Sequence, residues 1–291
     1  MADGIRLDQA VVGIGGLGLM GGSLAMALAG RCRRLVGWDP DPDALAAARE
    51  IELLEEVQPD PAAITPGCDL IVLAAPVRSI LACLEELPTH HPGPSVVMDL
   101  GSTKETIVQA MQRLPVRFEP IGGHPMCGKE TSGLASAAPD LFQSAPFALT
   151  PLDRTPPRAK HLVEELVHAI GALPLWIDAS THDRWVAATS HVPFLAAAAL
   201  SLCTPDEVHP LLGPGFVSTT RLAASQSGMM GDILATNRGS VLSALERFRN
   251  ELAELEQLLA RADEDELLTR LRQAADRRRM LLRLSQESRA G

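Results

Sequence analysis

The stretch "VVGIGGLGLMGGSLAMALAG", Val11–Gly30, decides the fold. Its opening residues are apolar or glycine, as a strand buried on both faces requires, and its close carries the spacing of a helix with an apolar face. Two overlapping G-x-G-x-x-G registers lie between them: Gly13/Gly15/Gly18 and Gly16/Gly18/Gly21. The second leaves "AVVGIG" (10–15) as a strand of ordinary length and starts the helix near Leu19. In that register Gly16 permits the tight turn, Gly18 lets backbone approach a pyrophosphate, and Gly21 lets helix and strand pack closely. The helix N-terminus then offers free N–H groups and partial positive charge to phosphate.

Asp39 lies 23 residues after Gly16, at the end of the next apolar run, "RLVGWD" (34–39). A carboxylate there accepts from a ribose 2′-hydroxyl and repels a 2′-phosphate. The residues after Trp38 and Asp39 read "PDPD", with no Arg or Lys to receive that phosphate, so NAD is expected over NADP. The expected cofactor-binding set is Gly16, Gly18, Leu19, Met20, Gly21, Asp39, Ala75, Pro76 and Ser102.

Outward from this turn, apolar runs alternate with helical patterns. Strands are expected at 69–76, 95–101, 117–123, 146–150 and 173–179, and helices at 43–51, 77–87 and 157–171. This β-α-β-α order predicts an α/β, Rossmann-type doubly wound sheet over residues 1–178. After about residue 180 the strand pattern stops, and residues 179–291 read as an all-helical domain. Pro193 sits inside the long helical run 183–203, where a kink or break is expected. From 240 to about 284 the chain is helical and charged. Leu245, Phe248, Leu252, Leu255 and Leu259 share one stripe. That stripe is expected to pack on helices of its own domain; the alternative is a second subunit.

Composition narrows the function. The net charge of −10 makes nucleic acid and anionic membrane poor partners. The N-terminal "MADGIRLDQA" is polar rather than signal-like. No run of about 18 apolar residues is read in the sequence, so no membrane span is expected. Five scattered cysteines without a C-x-x-C pair point to a reducing, cytoplasmic setting.

A second constellation follows the later strands. "DLGSTKE" (99–105) puts Ser102 at a C-terminal strand end, where such sheets bind ligands. "GGHPMCGKETSG" (122–133) puts His124, Cys127, Lys129 and Glu130 within seven residues. No metal is expected, because His124 and Cys127 lack further ligands nearby in sequence. Cys127 reads as a small half-buried filler.

Together "GLGLMGGSLA" (16–25), "DLGSTK" (99–104), "GGHPMCGKETSG", "HDRWVAATSHVP" (182–193) and "FVSTTRLA" (216–223) resemble the prephenate/arogenate dehydrogenases of tyrosine biosynthesis. The resemblance covers most of the chain, whereas "GLGLMG" alone also suits β-hydroxyacid dehydrogenases. It implies a nucleotide-binding domain followed by a helical dimerisation domain, hence a homodimer. It implies oxidative decarboxylation of prephenate or arogenate: hydride leaves C4, the C1 carboxylate leaves as CO₂, and the ring becomes aromatic. His124 matches the family's catalytic histidine and Ser102 its catalytic serine. Arg221 matches the arginine that binds substrate, and Glu130, with Lys129 beside it, an acidic position near the substrate side chain. Asp183 and His191 match the histidine–aspartate and Ser-His-x-Pro positions, with substrate contact and structural roles both open. Many relatives that use prephenate carry a histidine where this chain has Phe194, and Lys-Asp where it has Val217 and Ser218.

Overall fold

The computed structural model describes residues 4–52, 54–129 and 131–290. Eight strands form one sheet in the order β3-β2-β1-β4-β5-β6-β7-β8. They are β1 (Val11–Gly15), β2 (Arg34–Trp38), β3 (Glu56–Gln58), β4 (Leu70–Leu73), β5 (Ser95–Asp99), β6 (Phe118–Pro125), β7 (Pro146–Pro151) and β8 (Leu173–Trp176). Every pairing is parallel except β6 with β7. The helices of this half are α1 (Leu19–Leu28), α2 (Pro42–Glu50), α3 (Val77–His90), α4 (Glu105–Gln112) and α5 (Pro157–Ala169).

Strand alternation shows why both faces are covered. Val12, Ile14, Leu70, Val72, Val96 and Met98 join one core with residues of α1, α2 and α5. Val11, Ile71, Leu73 and Val97 join a second core with residues of α3 and α4. Successive side chains on a strand point to opposite faces, so each strand feeds both cores. Two elements go beyond the sequence reading. The strand β3 is only three residues long, and α4 is short and follows the Ser102 loop directly.

From Ala179 onward the described elements are helical: α6 (Ala179–Val186), α7 (Val192–Cys203), α8 (Pro214–Thr220), α9 (Ser227–Thr236), α10 (Arg238–Ala260) and α11 (Glu264–Ala290). Asp178 caps α6, its carboxylate accepting from the Thr181 N–H at 2.8 Å. The break expected near Pro193 takes the form of one π-helical turn, Ala187–His191, which leaves Pro193 in the first turn of α7. A proline lacks a helical donor only there at no cost, and the wider π turn absorbs the misfit.

Two expectations are corrected. The stretch Ala179–Cys203 is long and apolar enough, at a mean hydropathy of 1.6, to cross a membrane by length and composition. It carries His182, Asp183 and His191, all buried. The leucine stripe on α10 is buried in its own domain only in part: Leu245 packs on the helical core and Leu255 is half-buried, but Phe248, Leu252 and Leu259 are 41%, 56% and 65% exposed. The helical half closes only a small core, built from Ala187, Val192, Val241 and Ala244. The helical stretch read from 240 to about 284 consists of α10 and α11, with Ala262 (φ 52°) between them.

The turn between β1 and α1 has the second register's geometry. Gly16 has φ 92°, and a Cβ on Gly21 would lie 1.8 Å from the Gly16 carbonyl oxygen. A Cβ on Gly18 would meet nothing within 4 Å. Gly21→Ala should therefore lower unfolding free energy by about 2 kcal/mol or more, a typical cost of overpacking. Gly18→Ala should leave it within about 0.5 kcal/mol. Urea denaturation of the two variants checks this; equal stabilities would mean that α1 is free to move off β1.

Candidate active site

The glycine turn lies where strand order reverses, between β1 and β4, at the carboxyl ends of both. Ligands of such sheets bind in that crevice. Gly18 N-caps α1 without any side-chain cap, so the first N–H groups of that helix are left for an anion. Leu19 and Met20 are half-buried there. Ala75 and Pro76 follow β4 and open α3. The Asp39 carboxylate accepts from the Leu17 N–H at 2.7 Å and the Asp41 N–H at 2.9 Å. Those two bonds aim it at the turn and leave it acceptor capacity, since a carboxylate has about four lone-pair sites. The open space at Gly18 and the uncapped helix fit a dinucleotide.

Further along the sheet, β5 leads into Ser102, and His124 lies near the carboxyl end of β6. Ser102 is half-buried, and its hydroxyl has no hydrogen-bond partner among the described residues. His124 Nδ1 lies 2.9 Å from His182 Nε2, and His182 Nδ1 lies 2.8 Å from Asp183 Oδ1. Asp183 is fully buried, and its two oxygens also accept the N–H groups of Lys104 (2.7 Å) and Glu105 (3.0 Å), at the start of α4.

The proton positions follow from donor and acceptor counting. A carboxylate only accepts, so His182 Nδ1 carries a hydrogen, and in the neutral ring its Nε2 then carries a lone pair. That lone pair accepts from His124, so His124 Nδ1 carries a hydrogen and its Nε2 is bare. Burial first, then the nearby His182, Lys104 and His191, hold the His124 pKa well below 6.5. A neutral imidazole with a free Nε2 is a proton acceptor ready to act as a general base.

His191 lies behind this chain. Asn237, between α9 and α10, donates Nδ2 to the Asp183 carbonyl at 2.7 Å and toward His191 Nδ1 at 3.4 Å. Burial pushes the His191 pKa down to about 4, against a partly opposing pull from Asp183. Thr103 and Thr236 share a hydroxyl bond of 2.9 Å, and Arg78 pairs with Asp232 at 2.9 Å. These contacts seat the Ser102 loop and α3 on the helical half.

The remaining candidates stand further out. Lys129 is exposed, with Nζ donating to the Ser136 carbonyl at 2.9 Å. Arg221 is exposed on the turn after α8, a turn that packs on α7 and α8. Glu130 lies outside the described residues. Cys127 is half-buried, its thiol pushed up to about 11 by burial, so it stays protonated near neutral pH. The described residues contain no group of three or more His, Cys, Asp or Glu arranged for a metal. The sequence reading passed over His182, Lys104, Asp99 and Asn237. The quoted motifs "DLGSTKE" and "HDRWVAATSHVP" contain Asp99, Lys104 and His182, but their roles depend on contacts between distant segments.

A dinucleotide crevice beside an imidazole base defines a dehydrogenase of the nucleotide-linked class. The profile of the prephenate dehydrogenase nucleotide-binding domain matches residues 24–174, and that of its dimerization domain matches residues 178–273. The prephenate dehydrogenase of Bacillus subtilis is 30% identical over 277 residues, 91% of this chain and 74% of that protein. Prephenate dehydrogenase from A. aeolicus, solved with hydroxyphenyl propionate and NAD⁺, superimposes with a TM-score of 0.88 at 28% identity, over 95% of this chain and all of that one. Synechocystis arogenate dehydrogenase gives 0.81 at 28% identity, over 93% of this chain and 99% of that one. The chain belongs to the prephenate dehydrogenase family and is an oxidoreductase.

The buried His191 ties stability to pH. Its folded pKa of about 4 lies below the unfolded value of about 6.5. Its contribution is therefore full above 6.5 and is lost as pH falls toward 4. Such a gap corresponds to about 3 kcal/mol at most. His191→Gln should flatten the decline in unfolding free energy across that window. Parallel curves for variant and parent, measured by urea titration, would exclude His191 as the source.

Proposed function

We propose that the chain catalyses NAD-dependent oxidative decarboxylation of prephenate to 4-hydroxyphenylpyruvate. The observation that carries this reading is the hydrogen-bonded chain from His124 Nδ1 through His182 to Asp183, which makes Nε2 of His124 the proton acceptor. NAD⁺ in the crevice of the glycine turn would supply the hydride acceptor, held by Gly16, Gly18, Leu19, Met20, Gly21, Asp39, Ala75 and Pro76. Residues 1–178 form the cofactor half of this assignment and 179–291 the substrate and dimerisation half.

His124 Nε2 accepts the substrate's 4-hydroxyl hydrogen bond and then its proton. The imidazolium formed donates Nδ1–H to His182, whose own Nδ1–H rests on the Asp183 carboxylate, so the new charge faces an anion two bonds away. Ser102, whose hydroxyl is uncommitted, orients the same substrate hydroxyl. Arg221 binds a substrate carboxylate through its planar fork. Glu130 and Lys129 stand with the substrate side chain. His191 acts chiefly by supporting Asn237 and Asp183. The exposed stripe of α10 packs on a second copy of the chain. The five unpaired thiols suit the cytoplasm.

Arogenate is the second substrate to weigh, alone or together with prephenate, because the solved arogenate dehydrogenase is as identical to this chain as the prephenate enzyme, at 28%. Steady-state assays of both substrates, each with NAD⁺ and NADP⁺, decide between them. The expected result is turnover of prephenate with NAD⁺ at the highest kcat/KM. Exclusive use of arogenate would move the assignment to that enzyme, and a preference for NADP⁺ would overturn the role of Asp39.

His124→Asn should lower kcat by about two to four decades while NADH binding persists. The depressed pKa places the acid limb of the parent's kcat/KM profile below pH 6.5, because the base must be neutral to act. An undiminished kcat in the variant, or an acid limb above that pH in the parent, would remove His124 from the role.

A further inference from the structure

Lys104 and Asp99 are both fully buried and are ion-paired with each other. Neither is needed for the proton transfer derived above. Burial pushes the Asp99 carboxyl up and the Lys104 ammonium down, and each shift is opposed by the other's charge. Desolvating such a pair is expensive, and apolar residues of similar volume are often as stabilising or more so. The pair therefore calls for an explanation other than stability.

Its contacts supply one. The ladder between β5 and β6 runs from Ser95↔Phe118 to Met98↔Ile121 and stops there. Beyond that point the two strand ends are joined by side chains instead. Asp99 Oδ1 accepts the Gly123 N–H at 3.1 Å, and Lys104 Nζ donates to the Gly123 carbonyl at 2.7 Å. Asp99 Oδ2 accepts the Gly101 N–H at 2.8 Å. The pair thus grips the N–H and the C=O of the residue before His124, and the N–H of the residue before Ser102. The backbone N–H of Lys104 is itself bonded to Asp183 Oδ1 at 2.7 Å. The space is made by glycine: a Cβ on Gly101 would lie 2.9 Å from Asp99 Oδ2, and one on Gly123 2.5 Å from the Asp99 carbonyl oxygen.

We propose that Lys104 and Asp99 are positioning residues for the reaction, whose ion pair sets the placement of Ser102 relative to His124 where the sheet no longer does so. This rests on the reading of His124 and Ser102 as the reacting pair. A misplacement of about 1 Å between reacting groups costs on the order of 100-fold in rate, so a clamp at this point acts on kcat.

The test uses Asp99→Asn/Lys104→Met, which leaves no unpaired buried charge, with Lys104→Met alone as the second variant. Thermal melting and NADH titration establish that each is folded and binds nucleotide. The folded double variant should keep KM for the substrate and Kd for NADH within about 3-fold, and lose about 30-fold or more in kcat. The same pair of changes in a His124→Asn background should cost less than about 3-fold, because the group being positioned is already gone. A kcat within about 3-fold of the parent would overturn the proposal, as would an equal loss in both backgrounds, which marks a general structural defect. Loss of folding in both variants would overturn it too, by assigning the pair to stability. The His124→Asn protein by itself reports on the underlying reading: if it turns over normally, that reading fails whatever the double variant does.

Discussion

The Asp183 carboxylate accepts three hydrogen bonds inside the protein: from the N–H groups of Lys104 and Glu105, and from His182 Nδ1. Its position at the start of the helical half lets it do two things at once. It caps the N-terminus of α4, where the helix presents partial positive charge and unpaired donors, and so holds the end of the Ser102 loop. It also fixes which nitrogen of His182 bears hydrogen, and through that which nitrogen of His124 does not. One carboxylate thereby connects the sheet, the helices and the proton acceptor. A buried carboxylate with fewer donors would be costly, and here each oxygen is committed.

The two halves of the chain are built on different economies of burial. The sheet half has cores on both faces, and its strands other than the edge strands β3 and β8 are buried almost throughout. The helical half has only a small core of its own and leaves Trp185, Leu202, Leu211 and Leu252 more than half exposed. Its attachment to the sheet half includes polar contacts through Asp183, Thr236 and Asp232. Polar contacts fix orientation more sharply than apolar ones, because each has a preferred direction. That suits a seam carrying chemistry, while apolar surface of this extent suits a partner.

Much of this was legible in the sequence, for physical reasons. The glycine register could be read because only one choice leaves a normal strand before the helix, and Gly16 and Gly21 have the backbone freedom and crowding that choice demands. The alternation of apolar runs announced the doubly wound sheet. The short β3, with no strong pattern over three residues, could not announce itself. The leucine stripe on α10 was visible, but periodicity says only that a face is apolar and not what covers it. His124 and Ser102 stood at strand ends and could be named. His182, 58 positions from His124, and the Lys104–Asp99 clamp could not, because a lysine in a polar loop looks solvated until the fold encloses it.

The central claim is that His124 is neutral with its hydrogen on Nδ1 and a free Nε2. Long-range nitrogen–proton NMR of the imidazole rings reads tautomer and charge directly, with His124→Asn used to assign the signal. The account predicts, near neutral pH and without ligands, that His124 is neutral with its hydrogen on Nδ1. A His124 resonance with the hydrogen on Nε2, or with both nitrogens protonated, would contradict it.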